Sequence, residues 1–210
     1  MGAARKPTIA VVSYGVGNLW SITNGFRQVG AAPRLVKHLK DLPRFDAAVL
    51  PGVGAFRSAI AFLREQHRYI EDAAAHGQPI LGICLGMQLL FEESEEGGLT
   101  PGLGLIRGRV KRLPKTVKIP HMGWNQVSLM RRDPFLEGVQ TGDYFYFVHS
   151  YSPTPQEPEV ILAATEHGVS FPSVVAKGSV YGTQFHPEKS GEKGLRLLKN
   201  FVQIAQEAAD

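Results

Sequence analysis

The sequence is poor in several things at once, and each shortage excludes a class of protein. It has one cysteine, Cys84, in 210 residues, so no disulfide framework can form within the chain and no oxidising compartment is required. No apolar run approaches the ~18 residues of a membrane span. Near the start, Arg5 and Lys6 precede an apolar stretch from Thr8 to Tyr14 that is too short for a secretory leader with a cleavage site. A cytoplasmic location is therefore expected. Charge of one sign is also scarce: 23 Lys and Arg stand against 19 Asp and Glu, a surplus of +4 that does not point to nucleic acid. With 43% hydrophobic and 20% charged residues, the composition is that of an ordinary globular protein. The length fits one domain over 1–210, with a core from about residue 8 to 206.

In the first half, strand and helix signals alternate. Thr8–Tyr14 reads as a buried parallel strand, and after Gly15–Asn18 the residues Leu19, Ile22, Phe26 and Val29 recur at helical spacing. Pro33–Lys37 and Asp46–Leu50 are the next strands, the latter stopped by Pro51-Gly-Val-Gly54. A long helix is expected from Phe56 through Ile70 towards Gly77. Pro79–Ile83 is a fourth strand, feeding a helix that runs through Phe91. Such alternation implies right-handed crossovers and a doubly wound, mostly parallel α/β sheet. The second half contains shorter alternating segments that read as strands, several antiparallel: 102–113, 125–130, 144–151, 160–165, 173–177 and 179–185. Pro153–Pro158 reads as a surface loop. The last helix presents Leu195, Leu198, Phe201, Val202 and Ala205 on one side.

Gly82-Ile-Cys84-Leu-Gly86 lies between a strand and a helix. The spacing G-x-C-x-G is that of a nucleophile elbow with Cys in place of Ser. Glycines flank it because the sharp turn leaves no room for a Cβ. The elbow presents sulfur at the carboxyl end of the sheet, where doubly wound folds bind ligands. There the positive end of a helix favours thiolate over thiol, and the Leu85 amide faces an oxyanion formed on attack. Taken without its neighbours, Cys84 reads as a small buried hydrophobe. The flanking glycines and the strand–turn–helix setting favour the nucleophile.

A thiol nucleophile needs a base. His38, His67, His76 and His167 fall in polar or helical stretches that read as solvated, whereas His121 and His149 are harder to dismiss. His186 stands at a strand end, followed by Pro187 and Glu188. Residues i and i+2 of an extended segment point the same way, so Glu188 can orient the His186 ring. A Cys84–His186–Glu188 triad follows. The competing reading of His-Pro-Glu is an exposed turn.

Together, Gly82–Gln88 and Phe185–Glu188 resemble the class I, or triad, glutamine amidotransferases. Tyr14–Asn18, Pro51–Phe56, Pro120–Asn125 and Phe147–Tyr151 narrow the resemblance to the glutaminase subunits of imidazole glycerol phosphate synthases, in histidine biosynthesis. The resemblance implies a flavodoxin-like sheet with an added antiparallel portion, and neither cofactor nor metal. It implies that Cys84 attacks the glutamine side-chain amide to give a γ-glutamyl thioester, and that His186 passes the thiol proton to the departing ammonia. The amides of Val53 and Leu85 would hold the oxyanion, each such donor contributing about 3 kcal/mol. The Pro51–Gly54 turn would be free to flip a peptide, linking activity to the partner's state. Gly52, Gln88, Ser150 and Tyr151 match the glutamine pocket, with Glu96 added for the amino group.

The implied partner is a (β/α)8-barrel cyclase forming a heterodimer, because ammonia released into water protonates and loses its nucleophilicity. Trp124, Asn125, Tyr146 and Lys189 match positions facing that partner, although Trp124 also reads as ordinary core. Six basic and no acidic residues lie between Arg107 and Lys118. Arg107, Arg109 and Lys111 share one strand face, to be read as solvated surface or as a docking patch. Nucleic acid is a poor fit, since no stacking aromatics are interleaved. The rival readings are the glutaminase of pyridoxal phosphate or anthranilate synthase, and a catalytically silent regulatory module on the same fold.

Overall fold

The computed structural model describes residues 5–14, 18–52 and 54–209. In chain order the elements are β1 (Thr8–Val12), α1 (Leu19–Gln28), β2 (Ala32–Val36), β3 (Ala47–Leu50), α2 (Phe56–Leu63), α3 (His67–Ala75), β4 (Ile80–Ile83) and α4 (Leu85–Leu89). There follow β5 (Phe91–Ser94), β6 (Thr100–Pro101), β7 (Ile106–Arg112), β8 (His121–Gln126), β9 (Ser128–Leu129), β10 (Tyr144–His149) and β11 (Tyr151–Pro155). The chain closes with β12 (Ile161–Glu166), β13 (Ser170–Lys177), β14 (Val180–Thr183) and α5 (Gly191–Glu207).

The main sheet has eight strands in the order β2-β1-β3-β4-β14-β13-β12-β9. The first five are mutually parallel and the last three antiparallel. Apart from the origin of its fifth strand, the parallel portion has the flavodoxin-like order 2-1-3-4-5. Its inner strands β1, β3 and β4 are apolar on both sides because helices cover both faces. In β3, Ala47 and Val49 join the core that includes Phe26, Phe135 and Phe201, while Ala48 and Leu50 join the one that includes Phe56, Leu63 and Phe91. Alternation along one strand thus feeds two cores, each anchored by buried Phe side chains contributing roughly 2–3 kcal/mol apiece. A four-stranded sheet β11-β7-β5-β6 and a two-stranded ribbon β10-β8 complete the fold.

Three expectations from the sequence are corrected. The long helix after Phe56 is two helices, interrupted at 64–66. There the Gln66 side chain accepts the Leu39 amide at 2.9 Å, and the Gln66 amide closes a turn on the Leu63 carbonyl. The helix after Cys84 ends at Leu89, because the carbonyls of Leu89, Leu90 and Phe91 accept from Leu103, Ile106 and Gly104 and not from further turns of helix. Pro153 and Pro155 lie in β11, not in a loop. That strand is at the edge of its sheet, where a missing N–H is tolerated.

Candidate active site

The carboxyl ends of β3, β4 and β14, neighbours in the sheet, meet at one cavity of about 310 Å³. This is the small end of the ligand-pocket range, suited to an amino acid. Cys84 sits directly after β4 with φ 50° and ψ −104°, the only non-glycine residue with positive φ among the described residues. A left-handed Cys is strained, and such strain is held only where the surroundings over-determine it. Here the surroundings are the two glycines. A Cβ on Gly86 would lie 1.9 Å from the Leu50 carbonyl oxygen, and one on Gly82 would lie 2.5 Å from the Gly86 backbone. The elbow read from the sequence is therefore a close three-way approach of β3, β4 and α4.

His186 and Glu188 arrive from β14. The His186 Nδ1–H donates to Glu188 Oε1 at 2.8 Å, and the two side chains are only 2% and 1% exposed. In the neutral ring that bond leaves Nε2 as the lone-pair nitrogen. Nε2 is buried and, among the described residues, makes no hydrogen bond of ordinary geometry. Burial opposes a charged ring. The negative charges of a Cys84 thiolate and of Glu188 outweigh it and push His186 up to about 10. Gly52 keeps these groups close: a Cβ there would lie 2.9 Å from Cys84 Cβ and 3.1 Å from His186 Cε1.

The cavity is lined by Gly52, Cys84, Leu85, Gln88, Glu96, Ser150, Tyr151 and His186, which gathers the described members of the expected catalytic and glutamine-binding set except Glu188, which reaches the site only through His186. Val53 lies outside the described residues. Gln88 Nε2 donates to the Tyr151 carbonyl at 2.9 Å and to Gln184 Oε1 at 3.2 Å, leaving Gln88 Oε1 as its acceptor for a ligand. Partial burial raises the Glu96 carboxyl above its ordinary range, against a backbone hydrogen bond from Phe56 that lowers it. Lys189 lines the same cavity, with its ammonium 6.0 Å from the Tyr146 ring.

The aromatic ribbon divides by face. Tyr146 pairs with Trp124 across β10 and β8, their rings 6.1 Å apart and edge-on. Trp124 is 56% exposed and stands beside exposed Met122 and Tyr144, so it is not core. Asn125 alternates to the opposite face. Its amide donates to His121 Nε2 and to the Glu166 carbonyl, so it is occupied inside the chain and does not join Trp124.

Sequence reasoning missed several supporting groups. The Tyr14 hydroxyl, buried, donates to the Pro51 carbonyl and so anchors the chain just after β3. Burial and the proximity of Cys84 raise the Tyr14 phenol well above its usual value. Ser190 Oγ donates to the His186 carbonyl at 2.6 Å and accepts from the Tyr146 amide at 3.0 Å, tying the aromatic ribbon to the base.

His121 and His149 are both buried, and their tautomers follow from their partners. His149 Nδ1–H donates to the Tyr151 carbonyl, so His149 Nε2 accepts from His121 Nδ1–H at 3.0 Å, and His121 Nε2 accepts from Asn125. Both rings are neutral. Burial, with the charge of neighbouring histidines, lowers His149 to about 3 and His121 to about 4. His167, expected to be solvated, instead stacks on His121 at 4.2 Å and pairs with the Lys118 carbonyl. The basic strand β7 is met by acids of its own chain: Arg109 Nε donates to Glu93 at 2.6 Å, and Arg107 lies 3.9 Å from Glu157.

The chain matches the family pattern "Glutamine amidotransferase class-I" over residues 10–205. It is 48% identical to the imidazole glycerol phosphate synthase subunit HisH of Caldanaerobacter subterraneus subsp. tengcongensis, covering 93% of this chain and 98% of that one. The HisH proteins of Geobacillus kaustophilus and Methanosarcina acetivorans are each 47% identical, covering 94% and 93% of this chain and 97% and 98% of theirs. Among solved structures, PurLQS from Thermotoga maritima superimposes with a TM-score of 0.74 at 21% identity, covering 98% of this chain and 100% of that one. A glutamine amidotransferase from Thermotoga maritima gives 0.64 at 20%, covering 88% and 77%, and both likenesses speak for the fold alone. With the family pattern spanning nearly its whole length and relatives close to half identical, the chain belongs to the class-I glutamine amidotransferases.

Proposed function

We infer that the chain is the glutaminase subunit of an imidazole glycerol phosphate synthase and supplies ammonia to a cyclase subunit in histidine biosynthesis. The observation that carries this reading is the near-full-length similarity to HisH subunits, at 47–48% identity. The cavity supplies matching chemistry. Cys84 Sγ gives an electron pair to the side-chain carboxamide carbon of glutamine, and the carbonyl π pair moves to oxygen. The Leu85 and Val53 amides hold that oxyanion. His186 Nε2 takes the thiol proton and returns it to the leaving nitrogen as the C–N bond breaks, while Glu188 holds the ring. Ammonia departs, and water, activated by the same imidazole, releases glutamate from the thioester. Gln88 and Tyr151 contact the glutamine, and Glu96 takes its amino group.

The partner docks on the face where Met122, Trp124 and Tyr144 are exposed and Tyr146 is half-buried, with Lys189 at the rim between that face and the cavity. Aromatic side chains of this kind are enriched at interface centres. A (β/α)8-barrel cyclase seated there receives ammonia without its passing through water, where it would be protonated. The heterodimer belongs in the cytoplasm. A silent regulatory module would have no use for a buried His186–Glu188 pair beside a strained Cys84.

Glutamine hydrolysis measured with and without the cyclase and its ligand tests the assignment. Stimulation by that partner, and not by the synthase component for pyridoxal phosphate or anthranilate, is expected. Equal activity without it would overturn the coupled-subunit reading.

A further inference from the structure

Among the described residues, Gln184 carries a buried carboxamide beside the nucleophile that neither triad chemistry nor glutamine binding uses. It sits between β14 and His186 with no exposed surface. Its Nε2 donates to Cys84 Sγ at 3.6 Å, within reach given the large radius of sulfur. Its Oε1 accepts from Gln88 Nε2 at 3.2 Å, and the Gln184 backbone N–H is anchored on the Ser173 carbonyl at 2.9 Å. The amide is thereby held in one orientation, because turning it over would set an NH₂ against the Gln88 NH₂. The second contact of the sulfur is the Val148 carbonyl at 3.7 Å, an acceptor. A neutral thiol can satisfy both, donating to Val148 and accepting weakly from Gln184. A thiolate repels the carbonyl and is left with Gln184 as its side-chain amide donor.

We propose that Gln184 is a thiolate-holding residue, whose side-chain N–H, locked by Gln88, stabilises the anionic sulfur of Cys84 and aims it at the glutamine carbon. The proposal rests on Cys84 being the nucleophile. Gln184 transfers no proton. It remains a neutral donor while the sulfur lone pair forms the C–S bond, and its hydrogen bond weakens as charge moves from sulfur to the oxyanion. The hydrogen bond supports the anionic sulfur while His186 keeps the proton. It also gives Gln88 a second task, since the group that lines the glutamine pocket fixes the Gln184 amide as well. A buried amide used only to fill space would need no ionic partner. Pointing its N–H at a permanently neutral sulfur would leave a weak bond where a carbonyl acceptor would serve better.

The test is the substitution Gln184→Met, similar in length and without a donor, studied in the complex with the cyclase. Cys84 alkylation by iodoacetamide and kcat/KM for glutamine are followed against pH. Expected are an upward move of both pH midpoints by about one unit and a loss of about tenfold in kcat/KM at neutral pH that recovers in alkali. Gln184→Glu, which sets a carboxylate against the sulfur, moves the midpoints further in the same direction. Unmoved midpoints, or a uniform loss at every pH, would overturn the proposal in favour of a packing role. If neither variant folds, the side-chain ¹⁵N–H signal of Gln184 in the unsubstituted chain decides. It should shift at the pH of Cys84 alkylation and stay still in Cys84→Ala, and a signal indifferent to that titration overturns the proposal. An unsubstituted complex whose Cys84 resists alkylation and which hydrolyses no glutamine would instead overturn the nucleophile assignment itself.

Discussion

Replacing Glu188 by Gln isolates what the carboxylate contributes. The two side chains have nearly the same volume, and at 1% exposure no water can take the place of the lost charge. The carbonyl of the introduced amide can still accept from His186 Nδ1–H across the 2.8 Å contact, so the tautomer survives. Its NH₂ then falls at the position of Glu188 Oε2, a buried atom with no hydrogen-bond partner among the described residues. What changes is a charge-assisted hydrogen bond becoming a neutral one, worth about 1.5–3 kcal/mol when buried. With about 1.4 kcal/mol per factor of ten, kcat for glutamine hydrolysis should fall roughly 10- to 100-fold with KM little changed. The imidazole, no longer pushed up by Glu188, should also titrate at lower pH than the present value of about 10. Steady-state kinetics of the complex and NMR titration of His186 read both effects. A loss below about twofold with an unmoved His186 titration would refute the claim that the buried carboxylate sustains the base.

Gly86→Ala should cost about 3 kcal/mol or more of stability in urea unfolding, since its Cβ would stand 1.9 Å from the Leu50 carbonyl oxygen; a cost under about 1 kcal/mol would mean the elbow can relax. Acid should destabilise the chain through His149. Its folded value of about 3 lies below the unfolded one near 6.5, so its contribution is complete above pH 6.5 and is lost as pH falls toward 3. By about pH 4.5 that loss is about 3 kcal/mol, and unfolding of His149→Gln should show a shallower pH slope; an identical slope contradicts the assignment. Trp124→Ala should weaken binding to the cyclase by about 2 kcal/mol and leave the melting temperature unchanged, because the ring is 56% exposed; unfolding of the variant would point to a packing role instead.

The elbow was legible because its determinants are local: two glycines at fixed spacing between a strand and a helix, for steric reasons visible in the letters. His186 and Glu188 were legible as close neighbours, but not by the extended geometry expected: Pro187–Lys189 is a 3-10 turn, and that turn brings Glu188 Oε1 to His186 Nδ1. The contact of that pair with Cys84, 102 residues away, could not be read from spacing and depends on β14 lying beside β4. Gln184 and Ser190 went unread although they flank His186, because a buried amide and a hydroxyl have no spacing signature until their partners are known. The histidine chain was hidden likewise, its members being drawn together by the β8–β10 pairing and by the return of the chain at His167. Helix lengths failed where tertiary hydrogen bonds overrode an apolar period, at Gln66 and at Leu89. Two members of the basic stretch, Arg107 and Arg109, looked unopposed because Glu157 and Glu93 are remote in sequence.

The most direct test of the central claim is Cys84→Ala in the complex with the cyclase. Glutamine hydrolysis and glutamine-dependent synthesis should fall to background, while synthesis from added ammonia should continue at the rate of the unsubstituted complex. Persistent glutamine hydrolysis by that variant would contradict the assignment of Cys84 as the nucleophile.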